Sequence, residues 1–258
     1  MTPQVIEQLE HLEEKGYVLI SGALSPEETE RCRTAINDAR TNGWEEGLNA
    51  VGNMWFDRLL EQMPGIFEPL VAHCSVRPHL EALLGRQCQL RSFRAHINPG
   101  PYLQEWHMDF YGYWHQPLEA RYAVRGTGIN TTFYFQDNGP DLAKLTFVKN
   151  GHRNAPPKEL FDGRGWPDWP NGADLDAWAQ AQEHEVIYPK AGDCVIFFSH
   201  IPHQGAKMVP DLERSNIVCH YQTNPFFDGV AHVSSPREFA GSFPLNEAYK
   251  SGERTSYL

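Results

Sequence analysis

No stretch of this 258-residue chain approaches the roughly 20 consecutive apolar residues that a membrane-spanning helix needs. Basic runs are missing too: 22 Lys and Arg stand against 33 Asp and Glu, for a formal net charge of -11. Nucleic acid is held largely through phosphate neutralisation, so this balance argues against it as a partner. The segment from Met1 to Glu7 has neither a basic stretch nor an apolar core, so no secretory leader is expected and the cytoplasm is the expected location. Cysteine is sparse. Cys32, Cys74, Cys88, Cys194 and Cys219 are odd in number and widely spaced, which suits buried reduced thiols better than a disulfide framework. Internal repeats and low-complexity tracts are absent, and nothing in the chain signals an oligomeric state.

What remains is an ordinary globular composition, 41% hydrophobic, in a length that supports one well-buried core. A single domain over residues 1–258 is expected. Thr2 is placed to cap a first helix, Pro3 suits its first position, and Val5, Ile6, Leu9 and Leu12 follow helical spacing until Gly16. A short strand at 17–20 leads to Ser25, Pro26 and Glu28, a capping-box pattern that opens a helix running to about Asn42. Residues 56–85 hold one or two further helices, broken by Pro64 and closed by Gly85.

Beyond Cys88 the texture becomes strand-like. Phe93, Ala95 and Ile97 alternate with Ser92, Arg94, His96 and Asn98, so one face packs and the other is free to line a cavity. The same alternation sets Asn130, Thr132 and Tyr134 against Ile129, Phe133 and Phe135, and Arg214, Asn216, His220 and Gln222 against Ile217, Cys219 and Tyr221. Three strands with a polar face fit a small β-barrel around a ligand. Residues 154–182, rich in Pro, Gly and Trp with a short helical stretch at 174–182, interrupt the strands as an insertion, either a lid or a disordered segment.

Two signatures carry the chemistry. In Trp106-His107-Met108-Asp109, His107 and Asp109 are two residues apart, and on an extended segment they project to one side. The second is the apolar run 194–198, opened by Gly192-Asp193, with His200 and His203 at its exit and Pro202 ending the ladder. His203 is favoured as the third ligand because Arg214 follows eleven residues later, at the head of the next strand. Arginine offers a planar fork that matches a carboxylate. Two imidazoles and one carboxylate on one face of a metal, with open positions opposite, are diagnostic of non-haem Fe(II) oxygenases.

With these residues in place the chain resembles the phytanoyl-CoA hydroxylase (PhyH)-like family of Fe(II)- and 2-oxoglutarate-dependent dioxygenases. The likeness extends to the opening segment from Leu12 to Glu28, to Phe135-Gln-Asp-Asn-Gly139 and, in degenerate form, to Asn150-Gly151-His152-Arg153. It implies a mainly β fold with flanking helices: a double-stranded β-helix (jelly-roll, cupin-like) core over about 87–223, a helical N-terminal part over about 1–86 packed outside it, and an extension at 224–258. It implies Fe(2+) on His107, Asp109 and His203, with 2-oxoglutarate and O2 as cosubstrates. Arg214 would pair with the far carboxylate of 2-oxoglutarate, Asn98, Gln104 and Thr132 would assist, and Tyr111, Tyr113 and Trp114 would meet a small-molecule substrate. Halogenases of this type replace the carboxylate with a small residue, so Asp109 implies oxygenation. Hydroxylation with release of succinate and CO2 is the expected outcome, and desaturation, cyclisation or epimerisation at the same iron remain open. So do a non-oxidative cupin-like metalloprotein and a non-catalytic binding barrel.

Overall fold

Thr2 accepts a hydrogen bond from the Val5 amide and Pro3 occupies the first turn of helix α1, Pro3–Lys15. Gly16, at φ 85°, ends it and returns its N–H to the Leu12 carbonyl. A Cβ at this left-handed position would be strained, and it would also run into His152 and Ile201. After β1, Tyr17–Ile20, the capping box closes in both directions, Glu28 N–H to Ser25 Oγ and Ser25 N–H to Glu28 Oε2, and starts α2, Pro26–Thr41. The computed structural model describes residues 1–48, 52–84, 88–100, 102–109, 128–154, 156–157, 172–207, 209 and 212–223.

The remaining elements are β2 (Gly47–Leu48), β3 (Met54–Phe56), α3 (Leu59–Gln62), α4 (Pro64–Val71), α5 (Arg77–Leu84), β4 (Cys88–Asn98), β5 (Tyr102–Leu103), β6 (Gly128–Tyr134), β7 (Ala143–Val148), α6 (Gly172–Gln180), β8 (His184–Ile187), β9 (Cys194–Phe198), β10 (His203–Lys207) and β11 (Arg214–Thr223). They form a seven-stranded sheet ordered β1-β9-β6-β11-β4-β3-β2 and a four-stranded sheet ordered β5-β10-β7-β8. Neighbouring strands run antiparallel.

Side-chain alternation sets the layers. Phe93, Ala95, Ile97, Ile129, Phe133, Cys194, Ile196, Ile217, Cys219 and Tyr221 leave the large sheet on one side and join Leu12, Ile36, Phe67, Leu70 and Leu80 from the helices in one core. Each fully buried Phe or Leu of this kind stabilises the fold by roughly 1.5–3 kcal/mol. From the other side Tyr134, Val195 and Phe197 meet Leu145 and Phe147 of the small sheet, and Tyr17 stacks on Phe147 at 4.5 Å. Two facing antiparallel sheets with helices behind the larger one make the jelly-roll that was expected.

Several local readings change. Residues 56–85 hold three described helices, not one or two, and Pro64 opens α4 instead of breaking a longer helix, since proline at the first position forfeits no needed N–H. The N-terminal part is not purely helical, because β1, β2 and β3 join the large sheet. In the insertion α6 runs two residues ahead of the expected 174–182, at Gly172–Gln180. Pro202 does not end strand structure for long: His203 is the first residue of β10, so Arg214 heads the next strand but one. Cys32, Cys194 and Cys219 are buried thiols, whereas Cys74 is exposed. Among the described residues no helix is long and apolar enough to cross a membrane.

Candidate metal centre

His107 and His203 are brought together by backbone hydrogen bonding. They form an antiparallel bridge in which His107 N–H reaches the His203 carbonyl at 3.1 Å and His203 N–H reaches the His107 carbonyl at 2.9 Å. Directly opposed residues in such a pair project to the same side, and the two ring centroids lie 4.2 Å apart. The ladder continues outward through Gln104 N–H to the Gly205 carbonyl and Asp109 N–H to the Ser199 carbonyl. Asp109, two residues beyond His107, therefore falls on the same face, and one ligand atom from each of His107, Asp109 and His203 lies within 4.8 Å of the others.

The donor chemistry suits a divalent metal. His107 Nδ1 lies 2.8 Å from the Glu105 carbonyl and His203 Nδ1 lies 2.9 Å from the Ile201 carbonyl, each two residues back. A carbonyl only accepts, so both Nδ1 atoms carry a proton, which leaves Nε2 of each ring as the nitrogen to offer a metal, the orientation that metal-ligating histidines adopt. Burial, reinforced by the charge of His203, lowers the His107 pKa to about 4, so its imidazole is neutral at physiological pH. Burial by itself raises the pKa of Asp109; hydrogen bonds from His203 and His220 outweigh it and hold the carboxyl well below its usual range, ionised. Two imidazoles and one carboxylate fit Fe(II). Gln104 Nε2 sits 2.9 Å from His107 Nε2, donating to the lone pair a metal would take.

A cavity of about 280 Å³ opens from these residues between the sheets. Strands β4, β6 and β11 supply its floor with Arg94, His96, Thr132, Tyr134, Arg214, Asn216 and His220, the polar face read from the alternation. Arg214 is buried, donating from Nη1 to Asn98 Oδ1 at 2.9 Å and to Asn216 Oδ1 at 3.2 Å. Asn98 stands directly opposite it in the β4–β11 register. Thr132 and Gln104 also line the cavity. Tyr111, Tyr113 and Trp114, and Trp166 and Trp169 of the insertion, lie outside the described residues, as does the 224–258 extension.

His220, which the sequence placed on the polar face of its strand without a role, is buried with Nε2 3.5 Å from Asp109 Oδ2 and Nδ1 2.6 Å from Ser92 Oγ. Asn130 donates to the same Asp109 oxygen at 2.6 Å. Both share the polar face with Thr132 or Arg214, which was the available signal; without the register their side chains had no assigned target. On the far side of the ligand segment, Trp106 packs with Val148, Leu175 and Ala179, and its backbone N–H donates to Asp176 Oδ1 at 2.7 Å. Helix α6 of the insertion is thus fastened to the residue before His107.

The family model described as Phytanoyl-CoA dioxygenase (PhyH) matches residues 12–209, which include all three candidate ligands and stop short of Arg214. No individual curated sequence matches the chain. Among solved structures, the non-heme alpha ketoglutarate dependent carbocyclase SnoK from nogalamycin biosynthesis is 19% identical with a TM-score of 0.66, over 86% of this chain and 84% of its own. EctD from S. alaskensis, solved with 2-oxoglutarate and 5-hydroxyectoine, is 18% identical with a TM-score of 0.62, over 88% and 77%. HygX from Streptomyces hygroscopicus, solved with nickel and 2-oxoglutarate, is 13% identical with a TM-score of 0.62, over 86% and 87%. At these identities the likeness is one of fold.

Proposed function

The chain belongs to the phytanoyl-CoA dioxygenase family, and from that membership we propose that it is an Fe(II)- and 2-oxoglutarate-dependent dioxygenase that hydroxylates an unactivated C–H bond of a small-molecule metabolite. The observation that carries this reading is the cluster of His107, Asp109 and His203, in which both histidines are buried and commit Nδ1 to a backbone carbonyl, and one atom of each residue lies within 4.8 Å of the others. With iron, 2-oxoglutarate and O2 bound, such a site oxidises a C–H bond and converts the cosubstrate to succinate and CO2.

The chain's own part is binding, orientation and exclusion of water. His107, Asp109 and His203 hold the metal, Asp109 supplying the negative charge. Arg214 pairs with the far carboxylate of 2-oxoglutarate, a contact favoured by a buried setting in which charge-assisted hydrogen bonds are strong. Asn98 keeps the guanidinium in place, and Gln104 and Thr132 line the same cavity. Leu145 and Phe197 supply apolar wall against water. A buried arginine in the same cavity favours this reading over a non-oxidative metalloprotein, which has no dicarboxylate to anchor. Asp109 favours oxygenation over halogenation, and the absence of a basic run favours a compact apolar or aromatic substrate over an anionic acyl-CoA.

The test is anaerobic addition of Fe(II) and 2-oxoglutarate, read by a visible charge-transfer band, followed by a screen of candidate metabolites for substrate-triggered succinate release. Wild type is expected to give the band and Asp109→Ala to lose both band and turnover. A wild-type protein without the band, or an Asp109→Ala variant with unchanged turnover, refutes the proposal.

A further inference from the structure

Asp109 is the candidate ligand with the most freedom to misalign, since a carboxylate on a short stem rotates about χ2 at little cost. Three buried groups from other strands converge on it. Asn130, fully buried in the middle of β6, donates from Nδ2 to Asp109 Oδ2 at 2.6 Å. Its own carbonyl oxygen accepts from Ser199 Oγ at 2.7 Å, and the Ser199 backbone carbonyl accepts from Asp109 N–H at 2.6 Å. The three residues close a circuit in which each donates once and accepts once. The circuit also gives the amide a direction: rotated by half a turn, Asn130 would set its oxygen against an ionised carboxylate and its nitrogen against the Ser199 hydroxyl.

The neighbouring register shows why the arrangement is built in. Asn130 pairs with Phe197 on β9 and with His220 on β11, so it sits in an interior strand of the large sheet, on the same face as the cavity-lining Thr132 and Tyr134. An unpaired amide there would cost about 1–3 kcal/mol, and an apolar residue would satisfy packing equally well. The same Asp109 oxygen lies 3.4 Å from His203 Nε2 and 3.5 Å from His220 Nε2. The carboxylate plane is thus held with its edge toward the imidazoles before any ion arrives.

We propose that Asn130, oriented by the Ser199 hydroxyl, is a positioning residue of the metal centre that holds the Asp109 carboxylate in its metal-facing rotamer. The inference rests on the metal reading above and adds to it a residue that acts only through Asp109. Groups that orient a ligand in this way carry about a 10–100-fold share of metal affinity.

Co(II) titrated into the metal-free protein, by calorimetry and by the d–d absorption of bound cobalt, tests this without turnover. Asn130→Ala is expected to weaken Co(II) about 10–100-fold and to alter the cobalt spectrum. Ser199→Ala, which touches only the far end of the amide, is expected to weaken it in the same direction by a smaller factor. Affinities within twofold of wild type in both variants overturn the inference, even if their thermal midpoints fall, because a packing role alone would leave the spectrum unchanged. If Asn130→Ala fails to fold, Ser199→Ala decides alone by the same twofold criterion. A wild-type protein that binds Co(II) no better than Asp109→Ala would instead remove the metal reading itself, an outcome distinguishable from the first.

Discussion

Replacing Arg214 by Gln separates cosubstrate binding from metal binding. Arg214 is 5% exposed and lines the cavity, and its guanidinium donates to two amide oxygens, those of Asn98 and Asn216. Removing one member of a buried, hydrogen-bonded charge pair costs about 2–5 kcal/mol, so 2-oxoglutarate should bind the variant roughly 30-fold to a few thousand-fold more weakly. The free protein should change less. Loss of a buried cation relieves its desolvation, while the Asn98 and Asn216 oxygens are left to share the single glutamine donor group, and these contributions oppose each other. Arg214→Lys keeps the charge without the fork and should fall between, at about tenfold or more. The assay is an anaerobic titration of 2-oxoglutarate into Fe(II)-loaded protein, followed through the charge-transfer band, beside a titration with the metal alone. A folded Arg214→Gln variant that binds 2-oxoglutarate within threefold of wild type, or that loses metal affinity by the same factor as cosubstrate affinity, would refute the role.

Three further outcomes follow from the geometry. Burial lowers both His107 and His200 from the usual 6.5 to about 4, so the unfolded chain takes up protons in that window that the metal-free folded protein does not. These groups leave stability unchanged above pH 6.5, lower it as pH falls from 6.5 towards 4, and reach their full effect, on the order of 3 kcal/mol each, below pH 4; equal denaturation midpoints at pH 7 and pH 4.5 would contradict this. Asp176→Ala strips the acceptor from the Trp106 backbone N–H, and the loss of a hydrogen bond to a charged group should cost about 1.5–3 kcal/mol in chemical denaturation and speed amide hydrogen exchange at Trp106 and His107. Unchanged exchange there would mean that α6 does not brace the ligand segment. Ser25→Ala removes half of a closed capping box and should lower stability by about 1 kcal/mol with no effect on metal affinity, measured by the same two titrations.

The readings that held from sequence were those in which one residue's neighbours along the chain decide its environment. Thr2, Pro3 and Gly16 bound α1, Ser25 to Glu28 start α2, and the alternation around Phe93, Thr132 and Ile217 assigns faces, because caps and pleats are short-range geometry. Pro64 was misjudged for a related reason: a proline that opens one helix and a proline that breaks another look alike in a one-dimensional pattern.

His107 and Asp109 were legible because both lie on one extended segment, and the strand parity of Asn98 and Arg214 placed them on a cavity face. Their meeting across β4 and β11, the opposition of His107 to His203, and the circuit through Ser199 and Asn130 depend on strand order and register, which long-range pairing selects and local propensity does not. His220 shows the difference: its parity pointed inward from the start, yet only the β6–β11–β4 pairing carries its ring to Asp109. The amino-acid order therefore determined which side chains are offered to the interior, and tertiary structure decided which of them touch, because a face is a property of one strand while a site requires several strands in register.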